Sequence, residues 1–117
     1  MTTIRTTFEY QIDVNFLDID KARSFFLKSD WKDCFYTFNF IEDVAKHLAD
    51  NFHNYNAVLE KGKEWRHIEG FGSYYREPKT NTWRLDKDSI EEISGINCGD
   101  IHIHYYMETE CSNVEYI

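Results

Sequence analysis

The sequence predicts an α+β fold, a mostly antiparallel sheet of four to five strands with two to three helices packed on one face. Three observations predict it. Residues 4–16 alternate strictly, with Ile4, Thr6, Phe8, Tyr10, Ile12, Val14 and Phe16 on one side and Arg5, Thr7, Glu9, Gln11, Asp13 and Asn15 on the other. Residues 101–108 repeat that alternation, with Ile101, Ile103, Tyr105 and Met107 set against His102, His104, Tyr106 and Glu108. Between them, Ile41, Val44, Leu48 and Phe52 recur at helical spacing. Period two marks half-buried strands, and spacings of three and four mark an amphipathic helix.

The first strand carries a length constraint. Thirteen residues at about 3.3 Å each reach roughly 40 Å, whereas a compact chain of this size has a radius of gyration of roughly 13 Å. The strand must coil, bulge or project past its partners. Leu17-Asp18-Ile19-Asp20 ends it, and Asp18 or Asp20 caps a short helix carrying Ile19, Ala22 and Phe26. Trp31 follows in a turn. Cys34 to Phe40 reads as a second strand with Tyr36, Phe38 and Phe40 on one face, although the same rings suit a helix.

The main helix follows. Asn39 and Glu42 form a capping box, and Ala45 fills the apolar stripe. Glu42 and Lys46 are spaced for an i, i+4 pair. The helix ends near His53, with a continuation toward Lys61 open because Gly62 suits a C′ position. Residues 65–85 turn to strands, with Ser73–Arg76 and Thr82–Leu85 flanking the loop Glu77-Pro78-Lys79-Thr80-Asn81. Gly70 and Gly72 around Phe71 mark a bulge or a close approach. Asp88 to Ser94 is a short acidic helix, with Asp88 as cap, Glu91 completing a box, Ile90 and Ile93 inward and Gly95 as stop. Val114 to Ile117 adds a short edge strand. The order is β-α-β-α-β-β-α-β, with a ferredoxin-like core as the nearest named topology. No repeat or linker divides residues 1–117, which form a single domain.

Charge is unevenly placed. The net charge is −8, and no Lys or Arg follows Lys87. Asp88, Glu91, Glu92, Asp100, Glu108, Glu110 and Glu115 therefore carry −7 of it. Such a segment cannot displace phosphate counterions, so direct nucleic-acid binding is not expected, and a basic partner is its complement. Cys34, Cys98 and Cys111 are odd in number and lack a C-x-x-C pair, which points to a reducing compartment. No apolar signal core and no run of about 20 apolar residues occurs, so a cytoplasmic protein is expected.

Catalytic constellations are thin. His102 and His104 share one strand face and so are spaced to bind one metal, but that face is polar and needs no ligand to explain it. Asp13, Asp18 and Asp20 could form a divalent-cation cluster, yet capping and helix-dipole roles account for Asp18 and Asp20. Pairing Cys34 or Cys98 with His47, His53 or His67 as a nucleophile and base is permitted by composition and singled out by nothing. Gly70-Phe71-Gly72 lacks the third glycine and following helix of a phosphate loop. No catalytic residue, metal or cofactor is therefore assigned.

In general character, small, acidic and free of catalytic motifs, the chain resembles phage-encoded anti-defence inhibitors of the anti-CRISPR or anti-restriction type. The likeness covers no alignable motif. It implies a non-enzymatic inhibitor or adaptor that occludes or mimics a nucleic-acid site on a basic, nucleic-acid-handling protein. A bacterial immunity protein neutralising a basic nuclease toxin shares the same physics, and a small metal-dependent enzyme built on the histidines or aspartates is the remaining alternative. The expected partner-binding residues are Asp86, Asp88, Glu91, Glu92, Tyr106, Glu108 and Glu110, with further rings supplied by Trp65, Phe71, Tyr74, Tyr75 and Trp83.

Overall fold

A computed structural model describes residues 1–86, 88–89, 98–107 and 110–117, and of Met107 only the backbone. Its strands are β1 (Ile4–Thr7), β2 (Tyr10–Phe16), β3 (Val58–Glu60), β4 (Lys63–Ile68), β5 (Gly72–Glu77), β6 (Thr82–Leu85), β7 (Ile101–Met107) and β8 (Asn113–Tyr116). The helices are α1 (Ile19–Arg23), which runs into a π-helical segment (Ser24–Lys28), α2 (Trp31–Cys34) and α3 (Ile41–Asn54). Six strands form one antiparallel sheet in the order β2-β7-β6-β5-β4-β3, and β1 and β8 form a separate two-stranded ribbon.

This corrects the expected fold class. The chain is 38% strand and 29% helical, with more strands than the four to five read from the sequence. The ferredoxin-like topology falls with it, because β3 to β6 are consecutive neighbours in a meander closed by β7. Only α3 exceeds five residues among the described helices. The first strand divides into β1 and β2, which raises the count, and two further local readings are also corrected. Val58–Glu60 is a strand too short to show a period, joined to β4 by Lys61 and Gly62, whose φ values of 51° and 77° suit a two-residue hairpin turn. That turn also rules out continuation of α3 to Lys61. Cys34–Phe40 is not a strand: α2 ends at Cys34, and Phe35, Tyr36 and Phe38 instead pack irregularly against the core.

The long first strand breaks at Phe8-Glu9, and its N-terminal part projects as the ribbon. The radius of gyration is 16.8 Å and the long axis 58 Å, so the projection resolves the length constraint. In β2 and β7 the expected alternation holds. Val14 pairs with Ile103 and Phe16 with Ile101, and both isoleucines are fully buried.

The core lies on one face of the sheet. Ile41, Val44, Leu48 and Phe52 of α3 are buried there, as the sequence stripe requires. The capping box does not form: Phe40 is the N-cap and makes no side-chain cap bond, while Lys46 turns to Asp50 at 2.7 Å. Asp18 does cap α1, accepting a hydrogen bond from the Lys21 amide at 3.1 Å. The wider turn of the π-helical segment lets consecutive residues Phe25 and Phe26 both be buried. Their rings meet Trp31, whose indole N–H donates to the Gly70 carbonyl. Gly70 has φ +83°, and a Cβ there would stand 3.0 Å from the Phe35 ring. Asp88 and Ser89 are helical, but the remainder of the expected acidic helix, including Ile90, Glu91, Glu92, Ile93 and Gly95, lies outside the described residues. Among the described residues no helix is long and apolar enough to cross a membrane.

Gly70→Ala should cost about 1–2 kcal/mol through the left-handed backbone alone, and chemical denaturation will read it. Ile103→Asp should abolish the cooperative melt, because an unpaired charge enters a fully buried site. Gln11→Asp, on the exposed side of β2, should melt like the parent.

Candidate functional site

The elements α1 to α3 pack on one face of the sheet. Register decides what the described residues place on the opposite, open face. Asp13 and Asn15 pair with His104 and His102, which pair in turn with Thr82 and Arg84. Tyr75 and Glu77 lie beside Arg84 and Thr82, Trp65 beside Tyr75, and His67 beside Ser73. Side chains of paired residues share a face. The open face is therefore a band of rings, imidazoles and charges, where a solvated sheet commonly shows short polar groups.

Much of it is internally tied. The Trp65 and His67 rings are nearly parallel with centroids 5.9 Å apart, and Lys63 Nζ sits 4.5 Å over the Tyr75 ring. His67 Nδ1 is 2.7 Å from Ser73 Oγ and Nε2 is 3.4 Å from Glu60. Arg84 Nε approaches Glu77 Oε1 to 2.8 Å, an ion pair whose N–H is not aimed along the contact. Lys63 and Arg84 are thus engaged by neighbours.

Two depressions adjoin at one end of this face. One, of about 250 Å³, is lined by Tyr75, Arg84, Leu85, Asp86, Asp100 and His102. The other, of about 190 Å³, is lined by Glu60, Lys61, Trp65, His67, Ser73 and Asp86. Asp86 borders both. Its amide donates to the Ser73 carbonyl at 2.8 Å, which extends the β5–β6 ladder by one residue and holds the carboxylate at the sheet's end. Asp100 has φ +80° and its Oδ1 accepts from the Ile101 amide at 2.9 Å, while Oδ2 lies 3.7 Å from His102 Nε2. The site offers an aromatic wall and three carboxylates, Glu60, Asp86 and Asp100, the chemistry that receives a lysine or arginine side chain.

The expected partner-binding residues do not form one patch. Asp86 and Asp88 adjoin, with Asp86 Oδ1 accepting from the Asp88 amide at 3.3 Å. Tyr106, half exposed and stacked on His104, lies near the other end of β7, as does Glu110 beyond it. The seven residues of β7 separate the two groups by roughly 20 Å. Glu91, Glu92 and Glu108 lie outside the described residues. Among the other rings, Phe71, Tyr74 and Trp83 are core, while Trp65 and Tyr75 belong to the open face. Lys63 and Arg84, passed over in the sequence, and His67, weighed there only as a base for a cysteine, were findable on this face by strand parity: 63, 65 and 67, then 73, 75 and 77, then 82, 84 and 86 share one side.

His102 and His104 share a face but turn to different partners, Asp100 and Thr82, the latter through a 2.7 Å contact between His104 Nε2 and Thr82 Oγ1. Asp18 caps α1 and Asp20 lies 3.9 Å from Arg23, well removed along the chain from mid-strand Asp13. Among the described residues no group of three or more His, Cys, Asp or Glu is placed to hold a metal ion. His47 lies against Tyr36, Phe38 and Phe71, and His53 Nδ1 meets the Tyr105 hydroxyl at 2.9 Å.

On the covered face, Arg66 reaches under the end of α3. Its guanidinium lies 4.6 Å from the Phe52 and Trp83 ring centres and 5.3 Å from that of Tyr105, and Nε donates to the Tyr55 carbonyl. Burial lowers its pKa, opposed by Tyr105 and Glu64. Arg66 closes the core and is not available to a ligand.

No family model, curated protein or solved structure matches the chain. Function is accordingly argued from the site alone.

His104→Ala should leave Thr82 Oγ1, in a residue only 5% exposed, without its imidazole partner. The expected loss is about 1–3 kcal/mol in chemical denaturation. A melt indistinguishable from the parent would show that His104 has no structural task on this face.

Proposed function

We propose that this protein is a non-enzymatic binder that docks the sheet face opposite α3 on a basic protein. The observation that carries this reading is the pair of depressions meeting at Asp86. Glu60, Asp86, Asp100 and the Tyr75 ring line them beside Lys61 and Arg84, and Arg84 is already drawn to Glu77. The acidic C-terminal quarter supports the same polarity, since Asp88 and Asp100 extend the negative end of the sheet. An inserted Lys or Arg would meet opposite charge and an aromatic surface in a partly desolvated place.

A partner that handles nucleic acid fits this surface best, because such proteins present cations spaced for phosphates. Within that class, inhibition of a defence nuclease and neutralisation of a toxin nuclease use one mechanism: the carboxylates occupy the cationic site and exclude the nucleic acid. The protein acts by occlusion, with no chemical step of its own.

The test is affinity capture from the native host, followed by binding kinetics of the identified partner at low and high salt. Association should slow markedly with salt while dissociation changes less. Asp86→Lys with Asp88→Lys should weaken binding by at least about 2 kcal/mol where a desolvated pair is lost, with a melt within about half a kcal/mol of the parent. Binding that survives both the reversal and high salt would refute the acidic site. The same assay with Tyr106→Ala and Glu110→Lys tells whether the far end of β7 takes part.

A further inference from the structure

The strand β2 is the outermost strand of the six-stranded sheet and pairs only with β7. Among the described residues, none of its backbone groups bonds outside that ladder. A seven-residue edge with a free row of N–H and C=O groups is a template for another strand. Proteins blunt such edges with lysine, proline, bulges or brevity. The opposite edge is so treated: β3 has three residues and turns at once through Lys61-Gly62. Residues 10–16 contain no Lys, Pro or Gly.

We propose that β2 pairs antiparallel with β2 of a second copy of this chain, about a two-fold axis through Asp13. The sequence of the strand names this occupant. Tyr10-Gln11-Ile12-Asp13-Val14-Asn15-Phe16 reads in the same side-chain classes in both directions. Antiparallel pairing centred on Asp13 sets Tyr10 against Phe16, Gln11 against Asn15 and Ile12 against Val14. Each pair is chemically matched, and each stays on its own face. The even residues continue the covered side, where Ile12, Val14 and Phe16 are only partly buried within one chain. The odd residues continue the open side. Aromatic, β-branched and amide pairs of this kind are the stabilising units of a sheet.

The surroundings of the edge agree. Phe8, Tyr10, Leu17 and Ile19 are exposed large apolar residues at its two ends. In the register centred on Asp13, the chain before Tyr10 in one copy passes Phe16 of the other, which brings Phe8 to Leu17 and Ile19 of the second copy. Each end of the shared ladder would therefore cover apolar surface that one chain leaves in water. The contact is isologous and closes on itself, so it makes a dimer and not a fibre.

One element opposes it. Asp13 meets its own counterpart at the axis, and like charges directly opposite each other destabilise a strand pair. Net charge of −8 per chain adds repulsion at longer range. Asp13 thus sets the strength of an otherwise matched pairing, and salt strengthens the dimer by screening. The same condition weakens the proposed docking on a basic partner, so the two contacts respond to salt in opposite directions and are tested separately.

Sedimentation equilibrium of the full chain over micromolar concentrations reads the dimer directly. Asp13→Asn should tighten it about 5-fold or more, by removing the axial repulsion. Gln11→Asp with Asn15→Asp, which sets acid against acid in every open-face pair, should return the protein to monomer with its melt retained. In a Cys34→Ser, Cys111→Ser background, Asp13→Cys should be joined to its counterpart by oxidised glutathione, since facing residues in a ladder are within disulfide reach. Gln11→Cys, which faces position 15, should not be. The proposal fails if the parent and Asp13→Asn both stay monomeric throughout. It fails equally if a dimer forms that the double aspartate variant leaves intact or that Asp13→Cys does not cross-link.

Discussion

The sheet exists as one body because β7 inserts between β2 and β6. The strands β3 to β6 are consecutive and can pair locally, as a meander joined by short turns. The strand β2 lies more than forty residues earlier in the chain than β3 and touches none of the meander through its ladder. Only β7 bonds to both sides, through Ile103 opposite Val14 on one flank and Trp83 on the other. Its inward isoleucines are fully buried, so its register is held by the core as well as by the ladder. The covered face on which α3 lies is complete only once this long-range closure is made, and such closures cost loop entropy before they return contacts.

Packing on that face is dominated by rings. Phe25, Phe26, Trp31 and Phe71 are wholly buried and meet edge to face or tilted, geometries that aromatic quadrupoles favour. The indole N–H needs an acceptor in such a place, and the Gly70 carbonyl meets it because that residue takes a left-handed backbone with no side chain in the way of Phe35. Tyr74 shows the same economy: fully buried, it donates to the Phe71 carbonyl, and burial drives its pKa well above the usual phenol value. The rings and α3 all pack on that one side of the sheet.

Legibility in the sequence followed periodicity. The strands β2 and β7 and the stripe of α3 were readable because each is long and one-sided. The strand β3 was not, since three residues show no period. Phe35 to Phe38 misled because ring spacing of two imitates a strand, while those rings wrap around Trp31 without any ladder. The break at Phe8-Glu9 leaves the alternation intact, so pattern alone cannot reveal that pairing passes there from the main sheet to the ribbon. For the site, counting charges located the acidic quarter but not its geometry. The two ends of β7 hold different members of the expected set, and Asp86 owes its place to a backbone bond with Ser73 that no composition implies.

The open face and the open edge are consequences of the same strand. On β2 the even side chains serve the core, and the odd ones, Gln11, Asp13 and Asn15, stand on the uncovered side. A monomer optimised only for its own stability gains nothing from matching the two halves of that strand, because the core reads only the even positions. Matching at the odd positions as well, amide against amide about a central aspartate, is what the proposed pairing of the strand with a copy of itself would use. Pairing would also align two open faces into one surface, with the Asp86 depressions at symmetry-related distances from the axis. An extended basic partner could then engage both, and the gain in effective concentration would come from the geometry of the sheet and not from any added contact.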